Sequence, residues 1–378
     1  MERYSRHNLI DWFSQEQVSR QSICVVGAGA VGNEVIKSLT LLGVGKIEII
    51  DFDLIEEHNL TKSVLFRPED VGKSKAEVAA LRASELDPNV VIGYRHGDVT
   101  TLLSITNARG FDCIISCVDN FEARLRINEI CKIARIDFIN LGIDSRYASV
   151  EAFPFSKEGE LPCYECNLPP SVYGRIFERY SCGQLKKISY EENKIPTTIV
   201  TSGLAGSLGA SVALRLGVGE TTVSRRILLD SIQGYSSVTT DIAKNPECPC
   251  CSQVSGKYTF LAVSRNGQAG PVLNALAGDS EILEATLRLS EPVVQSARCA
   301  MCGSSPYGGL LVGRAKRDID ETARYCSNCS SASVDVVLQD ELVAREFLNI
   351  FSNRVIPVSY ATTTIDNRNY CISFEGAL

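Results

Sequence analysis

The chain has 378 residues, with 38 basic against 45 acidic side chains, a formal net charge of −7, 44% hydrophobic and 22% charged residues. At roughly 100–200 residues per domain that length holds two to three domains, with enough apolar material for a sizeable core. The net acidity argues against a protein that neutralises nucleic-acid phosphates over a broad basic face, and no apolar run is read as approaching the roughly 18 residues of a membrane span.

The opening Met1-Glu2-Arg3-Tyr4-Ser5-Arg6 is polar and charged and has no signal-peptide pattern, so a cytoplasmic location without membrane or nucleic-acid partners is expected. Residues 22–26 read as a short apolar strand, followed at once by Gly27-Ala28-Gly29-Ala30-Val31-Gly32. A helical pattern runs from about Val31 to Leu42, and a second strand from Lys46 to Ile50 ends at Asp51. A helix near 74–86 stops at Asp87-Pro88, and strands follow near 90–95 and at 112–118. A helix near 121–134 and a strand at 137–141 complete an alternation that specifies a parallel, doubly wound α/β sheet. From Ala148 to about Ile242 the pattern changes to isolated strands, one long loop at about 167–195 and one helix starting at Pro196. A domain boundary is placed near 252, separating residues 1–252 from 253–378. In the second part, residues 334–338 and 356–360 read as strands flanking a short helix near 341–351, a smaller α+β or zinc-ribbon-like module.

Fifteen cysteines are many for a protein of a reducing compartment, where a disulfide framework is not expected. Their spacing carries more than their number. Cys163/Cys166, Cys248/Cys251, Cys299/Cys302 and Cys326/Cys329 form four C-x-x-C pairs, the arithmetic of two four-cysteine zinc sites. Such a site leaves no ligand position open, so its expected role is structural. Four free thiols are the alternative for the second set, and Cys250 could exchange register with Cys251. Cys24, Cys113 and Cys117 lie in apolar strand-like runs and Cys131 on a helix, so these four read as inert core residues. His7, His58 and His96 show no ligand spacing.

A Gly-x-Gly-x-x-Gly turn between a strand and a helix points backbone N–H groups and a helix N-terminus at a phosphate. Asp51, closing the next strand, can accept ribose hydroxyls. Gly27, Gly29, Gly32 and Asp51 alone suit any adenine nucleotide, an NAD dehydrogenase included. Val71-Gly72-Lys73-Ser74 imitates the end of a Walker A loop, but Arg67 stands where that motif requires glycine.

The following stretches narrow this. Asp51-Phe52-Asp53-Leu54-Ile55-Glu56-Glu57-His58-Asn59-Leu60-Thr61-Lys62 is followed by Leu65-Phe66-Arg67, Asp70-Val71-Gly72-Lys73-Ser74-Lys75-Ala76-Glu77 and Ser116-Cys117-Val118-Asp119-Asn120-Phe121. With the Arg3-Tyr4-Ser5-Arg6 opening and the cysteine pairs around Pro162-Cys163 and Glu247-Cys248, this ordered set closely resembles the ThiF/MoeB family, the adenylating core shared with ubiquitin-activating enzymes. The resemblance covers roughly residues 1–252. It implies a Rossmann-like adenylation domain with structural zinc that uses ATP and Mg2+.

The resemblance also implies roles. Asp119, just past a strand, is the Mg2+-associated carboxylate; magnesium favours one or two carboxylates plus phosphate oxygens. Lys75 contacts phosphates, with Lys62 and Asn59 beside it and Asp51 and Asp53 on the nucleotide. Arg6 reaches the second active site of a homodimer. The family carries arginine where this chain has Lys62, and lysine keeps the charge but loses the planar fork that grips phosphate. Cys182, in the polar loop Arg179-Tyr180-Ser181-Cys182-Gly183-Gln184 with Lys186 and Lys187 nearby, resembles the cysteine that takes the acyl group as a thioester. Cys250 and Cys371 are the next candidates.

The leading expectation is an activating enzyme for a ubiquitin-like or sulfur-carrier protein, with residues 253–378 placed to recruit a conjugating enzyme or the carrier. Alternatives are an adenylyltransferase that stops at the acyl-adenylate for sulfur transfer, modification of a peptide C-terminus, and a non-catalytic partner subunit. Asp51, Asn59, Lys75 and Asp119 are all present, which weighs against the last.

Overall fold

The computed structural model describes residues 3–173, 197–232, 236–265, 284–319, 321–352 and 354–375. The chain divides into two compact units. One comprises the residues up to Leu103 and from Asn107 to Ser255; the other comprises Ser104–Thr106 and the residues from Gly256 onward.

The first unit is built on strands β1 (Ser22–Val26), β2 (Lys46–Asp51), β3 (Val91–His96), β4 (Cys113–Ser116), β5 (Asp137–Ile143), β6 (Tyr147–Phe153), β7 (Arg225–Asp230) and β8 (Ser237–Asp241). They form one sheet in the order β3-β2-β1-β4-β5-β6-β7-β8. The first five run parallel. The strands expected to be isolated after Ala148 instead extend this sheet, antiparallel to it and to each other. The sheet is therefore mixed. The reason is local: Asp144 accepts the backbone N–H groups of Arg146 and Tyr147 at 2.7 and 2.6 Å, a tight turn that sends β6 straight back along β5 with no room for a crossover helix.

Helices α1 (Ala30–Leu41), α2 (Lys75–Leu86) and α4 (Ile199–Gly217) pack together over one face of the sheet, while α3 (Phe121–Ala134) packs on β4 and β5. The core beneath α1, α2 and α4 includes Ile23, Val25, Ile47, Ile49, Ile115 and Ile139, alternate positions along four strands. Helix α4 starts at Ile199, where the Thr198 hydroxyl accepts the Thr201 N–H, and not at Pro196. It corrects a second expectation, because its 19 residues are long and apolar enough to cross a membrane. In this fold it is a core helix, with Ala205, Gly206, Gly209, Ala210 and Ala213 buried. Its small residues let it lie close to α1, where a Cβ on Gly206 would come within 2.4 Å of Glu34 Cβ and 3.1 Å of the Val35 nitrogen.

The second unit holds a five-stranded sheet, β9 (Tyr258–Ser264), β10 (Thr286–Cys299), β11 (Val334–Val343), β12 (Tyr360–Ile365) and β13 (Arg368–Glu375), in the order β11-β10-β12-β13-β9. Helix α5 (Ala344–Phe351) buries Phe347 and Phe351 with Phe374 in its core. Residues 341–343, expected in the helix, finish β11, and residues 356–359 lie outside any strand, which starts only at Tyr360. Ile356 and Val358 are fully buried, so their apolar character serves the core without a ladder.

Gly206→Ala should destabilise the first unit by about 1–3 kcal/mol, because the atoms facing the new methyl are backbone and Cβ and cannot swing aside. This overrides the roughly 1 kcal/mol that alanine gains over glycine in a helix interior. Denaturant unfolding measures it, and an unchanged or raised midpoint would contradict this close packing of α1 and α4.

Candidate active site and zinc centres

The strand order places β1 between β2 and β4, so the carboxyl ends of these strands open a crevice where the connections diverge, the usual ligand site of such sheets. Val26 runs into Gly27, whose φ of +94° suits only glycine, and the Gly27 N–H donates to the Ile50 carbonyl at 2.8 Å. A Cβ on Gly32 would lie 1.9 Å from the Gly27 oxygen, so α1 can begin this close to the turn only with glycine there. Asn33, fully buried, donates to the Ala28 carbonyl at 2.6 Å and accepts the Leu65 N–H at 2.9 Å, tying the turn to the Leu65-Phe66 segment.

Asp51 ends β2 with one carboxylate oxygen accepting the Ala28 N–H at 2.6 Å and the other the Asp53 N–H at 2.7 Å. Burial pushes its carboxyl above the ordinary range, opposed by those two N–H groups and by Lys75. Each oxygen keeps a further lone pair for a ligand hydroxyl. Lys75, at the start of α2 and 8% exposed, pairs with Asp53 at 2.7 Å. Its cation is thus aimed at the crevice by a carboxylate that a phosphate can displace. Asn59 is buried, its side-chain oxygen accepting the Glu56 N–H at 2.9 Å, and serves its own turn. Lys62 donates to the Thr197 hydroxyl at 3.1 Å.

Strand β4 ends at Ser116, two residues short of the expected strand, where the Cys117 N–H donates to the Val26 carbonyl at 2.7 Å. Asp119 follows, exposed and without a side-chain partner among the described residues. Asn120 caps α3, accepting the Ala123 N–H at 2.8 Å. A free carboxylate at the carboxyl edge of a parallel strand suits a magnesium ion that keeps most of its ligands as water and phosphate.

The fold thus brings Gly27, Gly29, Gly32, Asp51, Asp53, Lys75 and Asp119 to one end of the sheet. Arg6 is elsewhere. Its arm is anchored by Arg3 and Tyr4 on Asp87, with Arg3 Nε 2.7 Å from that carboxylate. Asp87 follows the last residue of the 12-residue α2, about 18 Å from Lys75 at 1.5 Å per residue. Arg6 itself is exposed with no side-chain partner among the described residues. Cys182 lies outside the described residues. Its sequence alternatives are poor nucleophiles, since Cys250 is 5% and Cys371 0% exposed. Arg124 escaped the sequence reading: on α3 it donates to the Val118 carbonyl at 2.5 Å and to Asn140 at 2.8 Å. No motif spacing marks a residue whose partners are a backbone carbonyl and a side chain on another strand.

Two groups of four sulfurs, Cys163/Cys166/Cys248/Cys251 and Cys299/Cys302/Cys326/Cys329, each lie within 4.8 Å of one another. The Cys163–Cys248, Cys166–Cys251, Cys299–Cys329 and Cys302–Cys326 separations are 3.6, 3.5, 3.6 and 3.6 Å. Tetrahedral zinc with bonds of about 2.3 Å needs sulfurs about 3.8 Å apart, so both groups fit the ion. The first is enclosed, whereas Cys302 and Cys329 of the second are exposed. Cys250 stands outside the first group and accepts from Asn128 at 3.5 Å. Metal analysis should find about two zinc ions per chain, with Cys248→Ser and Cys326→Ser each removing one. A content of one ion that Cys326→Ser leaves unchanged would strip the second group of its metal.

The sequence pattern of the ThiF family matches residues 4–250. The sulfur carrier protein adenylyltransferase of Thermus thermophilus is 29% identical over 259 residues, which span 66% of this chain and 90% of that protein. The ubiquitin-like modifier-activating enzyme 5 of Culex quinquefasciatus is 30% identical over 342 residues, 86% of this chain and 81% of that one. The crystal structure of E. coli MccB with succinimide matches the fold with a TM-score of 0.54 at 23% identity, over 66% of this chain and 73% of the other. With the family's pattern matched over residues 4–250, well over half of the sequence, the chain belongs to the ThiF family, within the ThiF/MoeB superfamily of adenylating enzymes.

Proposed function

We propose that this protein adenylates the C-terminal carboxylate of a ubiquitin-like or sulfur-carrier protein at the expense of ATP and then carries it as a thioester on Cys182. The observation that carries the first half is the convergence of the glycine turn, Asp51, Lys75 and Asp119 on one crevice in a chain of this family. The relatives' names, one a sulfur-carrier adenylyltransferase and one a ubiquitin-like-modifier activator, support this class of substrate.

In the first step a carboxylate oxygen of the carrier bonds to the α-phosphorus and pyrophosphate departs. The glycine turn and the start of α1 present N–H groups to the phosphates. Lys75 leaves Asp53 to neutralise the charge that develops on them. Asp119 would hold Mg2+, which when bound would supply charge neutralisation for the departing pyrophosphate. Lys62 retains its charge but, paired with Thr197, grips phosphate through one point rather than a fork. Arg6 serves the crevice of a second copy in a homodimer, a role that the anchoring of the neighbouring Arg3 and Tyr4 on Asp87, at the far end of α2 from Lys75, supports. In the second step the Cys182 thiolate attacks the acyl carbon and AMP leaves. The zinc of both groups is structural, and the second unit recruits a conjugating enzyme or the carrier.

A narrower reading ends at the acyl-adenylate and hands it to sulfur transfer. The 90% coverage of the Thermus thermophilus adenylyltransferase by this chain favours that reading for the adenylation step alone.

Asp119→Ala should abolish ATP–pyrophosphate exchange in a protein with an unchanged melting curve, and near-normal exchange would remove the metal role. Cys182→Ala should keep exchange with the cognate carrier and lose the thiol-sensitive enzyme–carrier adduct on a non-reducing gel. Cys182→Ser should trap a thiol-resistant ester. Exchange without any adduct in the unaltered protein would leave the narrower reading standing.

A further inference from the structure

A row of polar side chains crosses the sheet behind the crevice, and it ends on the backbone beside Asp119. Asn140 on β5, Glu151 on β6 and Arg226 on β7 sit at directly paired positions of three neighbouring strands. Asn140 is 3% and Glu151 7% exposed. The Asn140 amide nitrogen donates to a Glu151 oxygen at 2.8 Å, and the other Glu151 oxygen lies 3.8 Å from Arg226 Nε. That contact leaves the Asn140 oxygen facing the opposite way, where it accepts Arg124 Nη1 at 2.8 Å. Arg124 Nη2 then donates to the Val118 carbonyl at 2.5 Å, one residue before Asp119.

Two features make this more than sheet packing. An amide between a carboxylate and a guanidinium has only one orientation that satisfies both, so Glu151 decides which way Asn140 points. The planar fork of Arg124 then spans a side-chain oxygen and a loop carbonyl at once, a geometry an ammonium cannot reproduce. The loop it grips has no other side-chain anchor between Ser116 and the Asn120 cap among the described residues.

We infer that Arg124, oriented by the Asn140–Glu151 pair, is a positioning residue that holds the Val118–Asp119 turn so that the Asp119 carboxylate meets the metal of the bound nucleotide. This rests on the metal role proposed for Asp119. The row does not touch the glycine turn, Lys75 or Asp51 through any of these hydrogen bonds, so it should act on the metal-supported part of nucleotide binding and leave the rest.

The test measures, by calorimetry on the full-length protein, the affinity for a non-hydrolysable ATP analogue with and without Mn2+. In the unaltered protein Mn2+ tightens binding. Arg124→Ala should reduce that metal-dependent gain by about tenfold, the order of one charge-assisted hydrogen bond, while metal-free affinity stays within about twofold. Arg124→Lys, which keeps the charge and one donor site, should fall between the two. Asp119→Ala should abolish the gain, and Arg124→Ala added to it should change nothing further, because both act on one contact. Asn140→Leu, which removes the amide that orients Arg124, should show the Arg124→Ala pattern more weakly. A full metal-dependent gain in Arg124→Ala would overturn the inference while leaving the role of Asp119 intact. Equal losses of metal-free and metal-supported affinity would also overturn it, since they mark a general collapse of the crevice. If Asp119→Ala keeps the gain, the role of Asp119 falls and the inference with it. Should Arg124→Ala melt at a lower temperature, the same comparison in Arg124→Lys and Asn140→Leu decides.

Discussion

The close approach of Gly27 to Gly32 and to the end of β2 sets the position of everything else in the first unit. Gly27 takes a left-handed conformation, and Gly32 leaves 1.9 Å where a Cβ would stand. The Asp51 carboxylate fastens the turn by accepting the Ala28 N–H, and Asn33 fastens the same turn to the segment ahead of α2. Backbone N–H groups are thereby fixed toward a phosphate before any ligand arrives, which is the preorganisation that phosphoryl chemistry requires. Lys75 is delivered by α2, whose start is held to the segment just after β2 by a hydrogen bond from the Lys75 N–H to the Asp53 carbonyl.

The reversal of direction at β6 has consequences beyond the sheet. It provides the paired positions of Asn140, Glu151 and Arg226 and so lets a polar row run at right angles to the strands. The chain leaving β6 reaches Cys163 and Cys166, and the chain leaving β8 reaches Cys248 and Cys251. The four sulfurs join these two exits beside α3, where Asn128 accepts the Tyr164 N–H at 3.0 Å and donates to Cys250 at 3.5 Å, so a metal bound there would tie two distant segments of chain to that helix. The second group lies where β10 ends and β11 begins, with Cys299 and Cys326 packed among Val294, Ala297, Leu311 and Val334.

The N-terminal arm is tied by Arg3 and Tyr4 to Asp87 at the far end of α2, away from the crevice. Burial raises the Tyr4 hydroxyl pKa to about 12, and its hydrogen bond to Asp87 acts in the same direction. The arm is therefore a defined part of the surface, and Arg6 projects from it into solvent.

Much of the crevice was legible in the residues themselves because its determinants are local. A glycine turn between strand and helix and a carboxylate closing the next strand each follow from neighbouring residues and the strand-helix alternation, whereas Lys75 and Asp119 were singled out by the resemblance to the ThiF/MoeB family. The C-x-x-C pairs declared the two groups of four sulfurs that could hold a metal, because such a knuckle is a local spacing. Long-range partners were not legible. The reversed β6, the use of β7 and β8 as sheet strands, and the burial of the apolar Ile199–Gly217 helix depend on which surfaces meet, and hydrophobic period does not say that. Residues 356–358 looked like a strand because burial and strand membership favour the same side chains. Arg124 carried no signal at all, since its role comes from a loop carbonyl and an amide on another strand. Sequence determined the groups whose function follows from adjacent residues; tertiary structure decided the ones defined by pairing across the sheet, because register and contact exist only once the chain has folded.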